Sequence, residues 1–170
     1  MNLRTSAEPA AWQHLSRQLA RLAQAIAGLA LALLVLVQAW QVFARYVLNA
    51  SPGWTEPLAL LLLSTLMSLA AASAVHADSH FSFRLLSESG SPQRRRWLGV
   101  LQSLLIAALG LLLAVGSIRL LRAVSDIKQA GIALSQGWLY LPLAVGGALI
   151  VAFALERAWL SWRKPAEVAR

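Results

Sequence analysis

The sequence predicts an all-α polytopic membrane protein with four transmembrane helices, and composition and patterning carry the prediction. Hydrophobic residues make up 58% of the chain and charged residues only 13%, whereas a soluble domain has about 25% charged residues. The apolar residues fall into four blocks, each near the roughly 20 residues that a helix needs to cross a bilayer. The blocks show no period-two alternation, so a transmembrane barrel is excluded.

The four blocks form a single membrane domain over residues 1–170. We place the spans at about 22–48, 56–75, 97–118 and 138–158, between a cytoplasmic or interfacial segment, 1–21, and a cytoplasmic tail, 159–170. Each span must be helical, because lipid offers no partner for free backbone N–H and C=O groups. The first apolar run is longer than the core of a cleaved signal peptide, so we expect it to be retained.

The segment before the first span has an amphipathic pattern. Trp12, Leu15, Leu19 and Leu22 recur at helical spacing, with polar residues on the other faces. Two interpretations stay open: an interfacial helix in the headgroup plane, or a polar extension of the first span. At the start of the second span, Thr55 is the expected N-cap, and Pro57 falls in the first turn, where a missing N–H costs nothing.

Basic residues predict the orientation. Eleven Lys and Arg residues lie on one side of the predicted spans: Arg4, Arg17, Arg21, Arg84, Arg94, Arg95, Arg96, Arg157, Arg163, Lys164 and Arg170. Four lie on the other side: Arg45, Arg119, Arg122 and Lys128. Lys and Arg accumulate on the cytoplasmic side of membrane proteins, so both chain ends are predicted to be cytoplasmic. The basic balance therefore reflects topology, and we expect no nucleic-acid partner.

Every charged residue of the sequence lies at or outside a span end. Residues 25–41, 58–75, 98–118 and 138–155 carry no charge. Transporters that bind a coupling ion or relay a proton keep such groups inside the bilayer, because the ion or proton needs a ligand there. We therefore expect no coupling-ion or substrate site built on charged side chains in this chain, while a Na⁺ site made of backbone and hydroxyl oxygens stays open. Glu156 and Arg157 are interpreted as a charge pair at the end of the last helix.

Polar residues on the first helix suggest a protein contact. Gln38, Gln41 and Arg45 are spaced by three and four residues and so share one face, which is expected to meet protein and not lipid. Arg45 closes the first span and Glu56 opens the second. Two readings of that proximity stay open: an ion pair across the hairpin, or two charges that face headgroups and water. Gly110 and Ala114 form a small-xxx-small pair on the third span.

Cofactor and catalytic chemistry find no support in the sequence. There is no cysteine, which excludes thiolate metal sites and iron–sulfur clusters in this chain. His76 and His80 are four residues apart but lack a third ligand, and the other spans contain no histidine for a haem. No Ser–His–Asp arrangement or phosphate-binding loop is present. We expect no enzyme activity, no metal and no cofactor.

The first hairpin resembles a known family. It reads Phe43-Ala44-Arg45-Tyr46-Val47-Leu48-Asn49, then Pro52, then Trp54-Thr55-Glu56, and the fourth span opens Trp138-Leu139-Tyr140-Leu141-Pro142, then Gly146. Both runs are similar to the small permease subunit of tripartite ATP-independent periplasmic (TRAP) transporters, and His80 matches a histidine of that family. Pro57, Leu60 and Arg84 depart from the family's pattern.

The resemblance implies a scaffold in a bacterial inner membrane. Such a subunit sits beside a large permease subunit, which carries the Na⁺ and substrate sites, and a periplasmic binding protein delivers an organic acid. The residues that carry the resemblance, together with Gln38 and Gln41, are the candidate interface or structural residues: Arg45, Tyr46, Asn49, Trp54, Glu56, His80, Trp138, Tyr140 and Pro142. The alternative is a self-sufficient, homo-oligomeric four-helix transporter of small molecules.

Overall fold

The computed structural model describes residues 8–50, 52–77, 92–129, 131 and 134–163, with side chains for 13–50, 52–77, 97–129, 131 and 134–162. Its helices are α1 (Glu8–Tyr46), α2 (Thr55–Ala77), α3 (Pro92–Ala123) and α4 (Leu141–Arg163), and a 3₁₀ turn (Gln136–Tyr140) precedes α4. All four α-helices are long and apolar enough to cross a membrane. Within the described residues, the predicted all-α, four-span fold is confirmed.

The helices extend beyond the apolar blocks that predict them. Helix α1 runs without a break from Glu8, as a polar extension of the first span would. Helix α3 begins at Pro92 and ends at Ala123, because its flanking Arg and Gln residues are good helix formers. The fourth apolar block does not begin as α-helix, since residues 138–140 belong to the 3₁₀ turn.

The helices alternate in direction and give the bundle two distinct ends. At the terminal end, α1 and α3 begin while α2 and α4 end; at the hairpin end lie the α1–α2 and α3–α4 loops. Helix α4 packs against both α3 and α2, and α1 packs mainly on α2. Helix α4 is therefore the central element, and α1 lies at the edge of the bundle.

Small residues bring α1 against α2. Ala20, Ala23, Ala27 and Ala30 recur every three or four residues, and all four are buried. Ala23 and Ala27 form an apolar cluster with Leu69 of α2. Because alanine has a short side chain, the two helices can approach closely and gain dispersion contacts along their length.

Glycines of α4 make the closest helix contacts. A Cβ placed on Gly146 would lie 2.5 Å from Cβ of Ser68 on α2. A Cβ on the next residue, Gly147, would lie 2.7 Å from the backbone nitrogen of Ala114 and 2.8 Å from the carbonyl oxygen of Gly110, both on α3. Helix α4 therefore packs on α3 at the small pair Gly110 and Ala114.

Candidate partner interface

The loop between α1 and α2 has a defined local geometry. Helix α1 ends with Val47 N–H donating to the Phe43 carbonyl at 2.8 Å and Ala50 N–H donating to the Ala44 carbonyl at 3.0 Å. Asn49 sits between them at φ +50°, in the left-handed region that asparagine tolerates better than most residues. The asparagine of the recognised motif thus occupies the position that turns the chain out of α1.

Thr55 does not have the N-cap role that the sequence predicts. It is the first residue of α2, and its hydroxyl donates to the Pro52 carbonyl at 2.8 Å. The side chain is fully buried, which ties the loop down onto the helix start. The hydroxyl therefore closes the turn and does not accept a bond from the first helical N–H groups.

Most of the hairpin candidates point outward. Tyr46 is 76% exposed, and Arg45, Trp54 and Glu56 are exposed as well. The described residues contain no ion pair between Arg45 and Glu56, so the structure agrees with the reading in which both face their surroundings. These side chains are available to a neighbouring molecule or to the membrane interface, where Trp and Tyr are enriched.

The two predicted glutamines differ in their surroundings. Gln38 is exposed, whereas Gln41 is half-buried on the side of α1 that packs against α2. Trp40 lies beside Phe43, with ring centroids 5.9 Å apart, and both rings are exposed on the outer side of α1. Of the pair, Gln38 is the one directed away from the bundle.

The candidates at the start of α4 belong to a tightly bonded loop. The Ser135 hydroxyl accepts from Gly137 N–H at 3.1 Å and donates to the Ser125 carbonyl at 2.6 Å. This ties the 3₁₀ turn to the end of α3. Pro142 is the second residue of α4. Backbone N–H groups in the first turn have no acceptor within the helix, so the N–H that proline lacks is not needed there. Trp138 is exposed and Tyr140 is half-buried.

The two loops of the hairpin end touch through glycines. Gly131 has φ +86°, and a Cβ on it would collide with the carbonyl group of Gly53. Because both residues are glycines, the backbones can meet directly. Neither glycine was a candidate; close approach of this kind has no signal in a single sequence beyond the glycines themselves. His80, the remaining candidate, lies outside the described residues.

The terminal end holds buried charges that the sequence interpretation missed. Glu156 is only 8% exposed, and one of its carboxyl oxygens accepts a hydrogen bond from the Ser16 hydroxyl at 2.9 Å. Arg157 is 5% exposed, and its Nε and Nη1 atoms are buried with no hydrogen-bond partner among the described residues. The two residues are therefore not the simple end-of-helix charge pair that their adjacency suggests.

Two aromatic pairs also lie at the terminal end. The rings of His76 and Phe153 lie 5.1 Å apart, and Trp97 meets Trp162 edge-on at 6.0 Å. These contacts join α2 and α3 to the end of α4. Among the residues that the structure describes, no group of three or more potential metal-ligating side chains occurs. The four helices form a packed bundle with an exposed outer surface, and the described residues do not bring together a group of side chains suited to catalysis or metal binding.

Comparison with known proteins relates this geometry to a family. The family model described as the DctQ component of tripartite ATP-independent periplasmic transporters matches residues 34–164. A sialic acid TRAP transporter small permease protein, SiaQ, from Vibrio cholerae is 31% identical over 134 residues, which cover 75% of this chain and 73% of that protein. The family match includes the hairpin and the α4 opening that carry the resemblance in the sequence.

Proposed function

Since this chain belongs to the DctQ component of the tripartite ATP-independent periplasmic transporters, we propose that it braces a large permease subunit. That partner binds Na⁺ and an organic acid, and a periplasmic binding protein delivers the acid. The chain is a subunit of a TRAP transporter and a multi-pass membrane protein. Its role as a brace, the coupling to Na⁺ and the substrate class are the proposed parts.

One observation carries the bracing role: the spans contain no Asp, Glu, Lys or Arg over 25–41, 58–75, 98–118 and 138–155. A carboxylate substrate and its coupling ion both need compensating groups at membrane depth. Glu156 and Arg157 are the nearest charges in α4, and both are buried near its end, where Glu156 already accepts from Ser16. Ion and substrate sites are therefore assigned to the partner.

The packing supports a rigid role. Helix α4 is wedged between α2 and α3 through glycine contacts with backbone atoms, and such contacts leave little room for sliding. The outer surface of α1 is, by contrast, largely exposed and apolar. A firm bundle with an open side is suited to hold one part of a larger permease still while another part moves.

A location and an orientation follow from this function. We place the protein in the bacterial inner membrane, with the terminal end on the cytoplasmic side, because eleven of its Lys and Arg residues lie on that side in sequence. The hairpin end then faces the periplasm. This orientation puts Trp54 and Trp138 at the periplasmic interface and Trp162 at the cytoplasmic one.

The test is reconstitution of transport. The chain is expressed with the large permease subunit of its transporter, purified, and placed in liposomes with the matching binding protein and a Na⁺ gradient. Sialic acid is the first solute to try, because the relative from Vibrio cholerae is described by that substrate. We expect uptake with both membrane subunits and none with this chain alone. Accumulation of solute by the chain alone would favour the homo-oligomeric alternative and overturn the proposal.

A further inference from the structure

A line of exposed residues runs along α1 at intervals of seven: Arg17, Gln24, Leu31, Gln38 and Arg45. Each residue follows one that belongs to the row packed towards the bundle, which includes Ser16, Ala23, Ala30 and Ala44. Successive residues of an α-helix are about 100° apart around its axis. The line therefore occupies the side of α1 next to its contact with α2. Gly28 and Val35, four residues after Gln24 and Leu31, are exposed beside this line, and we call the line together with these two residues the glutamine face.

The glutamine face differs from the rest of the exposed surface of α1. The opposite side presents large apolar side chains only: Leu22, Ile26, Leu29, Leu33, Leu36, Trp40 and Phe43. That side suits lipid tails. The glutamine face instead includes Gly28, around which a Cβ would find no atom within 4 Å, so the space beside it is open.

Membrane depth makes the glutamines informative. Gln24 and Gln38 are separated by about 21 Å along the helix axis, at 1.5 Å per residue. The span predicted at 22–48 places Gln38 well inside a hydrocarbon core about 30 Å thick and Gln24 close to its cytoplasmic boundary. Lipid tails offer no hydrogen bond to an amide, and neither amide is bonded to another described residue of this chain.

We propose that the glutamine face is the docking surface for a transmembrane helix of the large permease subunit. That helix supplies hydrogen-bonding side chains at the depths of Gln24 and Gln38, and its backbone approaches closely at Gly28. Small residues allow such an approach, and polar side chains hydrogen-bond across helix pairs in membranes. The inference rests on the proposed function and adds the surface through which the brace acts.

Charge argues against a second copy of this chain as the occupant. Two copies inserted in the same orientation would pair their α1 helices in parallel about a two-fold axis. That arrangement would set Arg17 against Arg17 and Arg45 against Arg45, and like charges in contact disfavour a partner. A different helix with acceptors at both rims satisfies both arginines, and so the large permease subunit fits where a copy does not.

Site-directed photo-crosslinking in the assembled complex tests the placement. A benzoylphenylalanine is introduced at Leu31 or Val35 on the glutamine face, and at Leu29 or Leu33 as matched controls. Each control position is two residues earlier and lies about 160° away around the helix. We expect crosslinks to the large permease subunit from Leu31 and Val35 and not from Leu29 or Leu33. Crosslinks from the control positions alone, or between two copies of this chain from the glutamine face, would overturn the inference.

Substitution tests the chemistry of the contact. Gly28→Leu fills open space, so the isolated chain should keep its unfolding transition while its affinity for the large permease subunit falls about tenfold or more. Gln24→Leu and Gln38→Leu should each weaken association about threefold. Gly116→Leu is the control, because Gly116 on α3 is also open and lies off the glutamine face. Undiminished association of Gly28→Leu would contradict the inference.

The outcomes separate this inference from the proposed function. If the wild-type chain co-purifies with the large permease subunit but the glutamine face neither crosslinks nor responds to substitution, the docking surface is wrong and the bracing role stands. If the wild-type chain does not associate with the large permease subunit at all, the proposed function itself fails.

Discussion

Substitution of Gly147 tests the helix packing on which the proposed bracing role depends. In Gly147→Ala, the added methyl carbon would lie 2.7 Å from the Ala114 nitrogen, 2.8 Å from the Gly110 oxygen and 3.0 Å from the Ala114 Cα. Ordinary contact begins at 3.4 Å, so α3 and α4 must separate by roughly 0.7 Å. All three neighbours are backbone atoms, and no side-chain rotation can relieve the overlap. Overpacking of this kind costs about 1–3 kcal/mol.

The assay is unfolding of the purified chain in mixed micelles as the fraction of denaturing detergent rises, followed by helical circular dichroism and tryptophan fluorescence. Gly116→Ala is the matched control, because nothing lies within 4 Å of a Cβ at that position of α3. We expect Gly116→Ala to keep or raise the unfolding free energy, by up to about 1 kcal/mol, because alanine is the better helix former and the position is open. Equal stability of the Gly147→Ala and Gly116→Ala proteins would refute close glycine packing between α3 and α4.

The same titration checks three further expectations. Ser16→Ala should lower the unfolding free energy by about 1–3 kcal/mol, because it leaves a buried carboxyl oxygen of Glu156 without its hydrogen-bond donor. In a Glu156→Leu background the same substitution should cost less than half as much, and an equal cost in both backgrounds would contradict the hydrogen bond. Arg157→Met should not lower the unfolding free energy, because two buried guanidinium nitrogens have no hydrogen-bond partner among the described residues. A loss of about 3 kcal/mol would contradict this and reveal a partner outside the described residues. Gly131→Ala should lower the unfolding free energy by about 1–3 kcal/mol, because Gly131 has a positive φ and its backbone touches Gly53. Gly53→Ala should cost less than half as much, since a Cβ there makes only an ordinary contact at 3.5 Å, and the reverse order would contradict the loop geometry.

Much of the fold follows from the sequence because the bilayer restricts what a long apolar segment can do. Four blocks without internal charge predict four spans, and the structure contains four helices that meet the requirement. The small pair Gly110 and Ala114 also predicts a helix contact, and α4 packs there. These signals are local in the chain, so one sequence is enough to read them.

Features that depend on distant segments were not predicted. The burial of Glu156 requires α1 to continue back to Ser16 beside the end of α4, and the two residues are 140 positions apart. Amphipathic spacing alone did not decide whether α1 would extend back beyond the apolar block that begins at Leu22. The contact of Gly53 with Gly131 likewise depends on how two loops converge. Periodicity shows which face of a helix is apolar but not which neighbour covers it.

The interface candidates also separate into those that a local sequence motif predicts and those that depend on how the helices pack. The hairpin motif locates Arg45, Tyr46 and Glu56 at an exposed helix end, and a motif is readable in sequence. Gln38 and Gln41 appear equivalent by spacing, yet only Gln38 is exposed, because Gln41 falls on the row that α2 covers. The structure was needed to show that an exposed glutamine recurs fourteen residues earlier on the same side, at Gln24.

The central claim is that this subunit supports transport without binding the coupling ion or the solute. Equilibrium dialysis of the purified chain against radioactive sodium, beside the complex with the large permease subunit, tests it most directly. We predict saturable sodium binding by the complex and none by the chain alone. Saturable binding by the isolated chain would contradict the account.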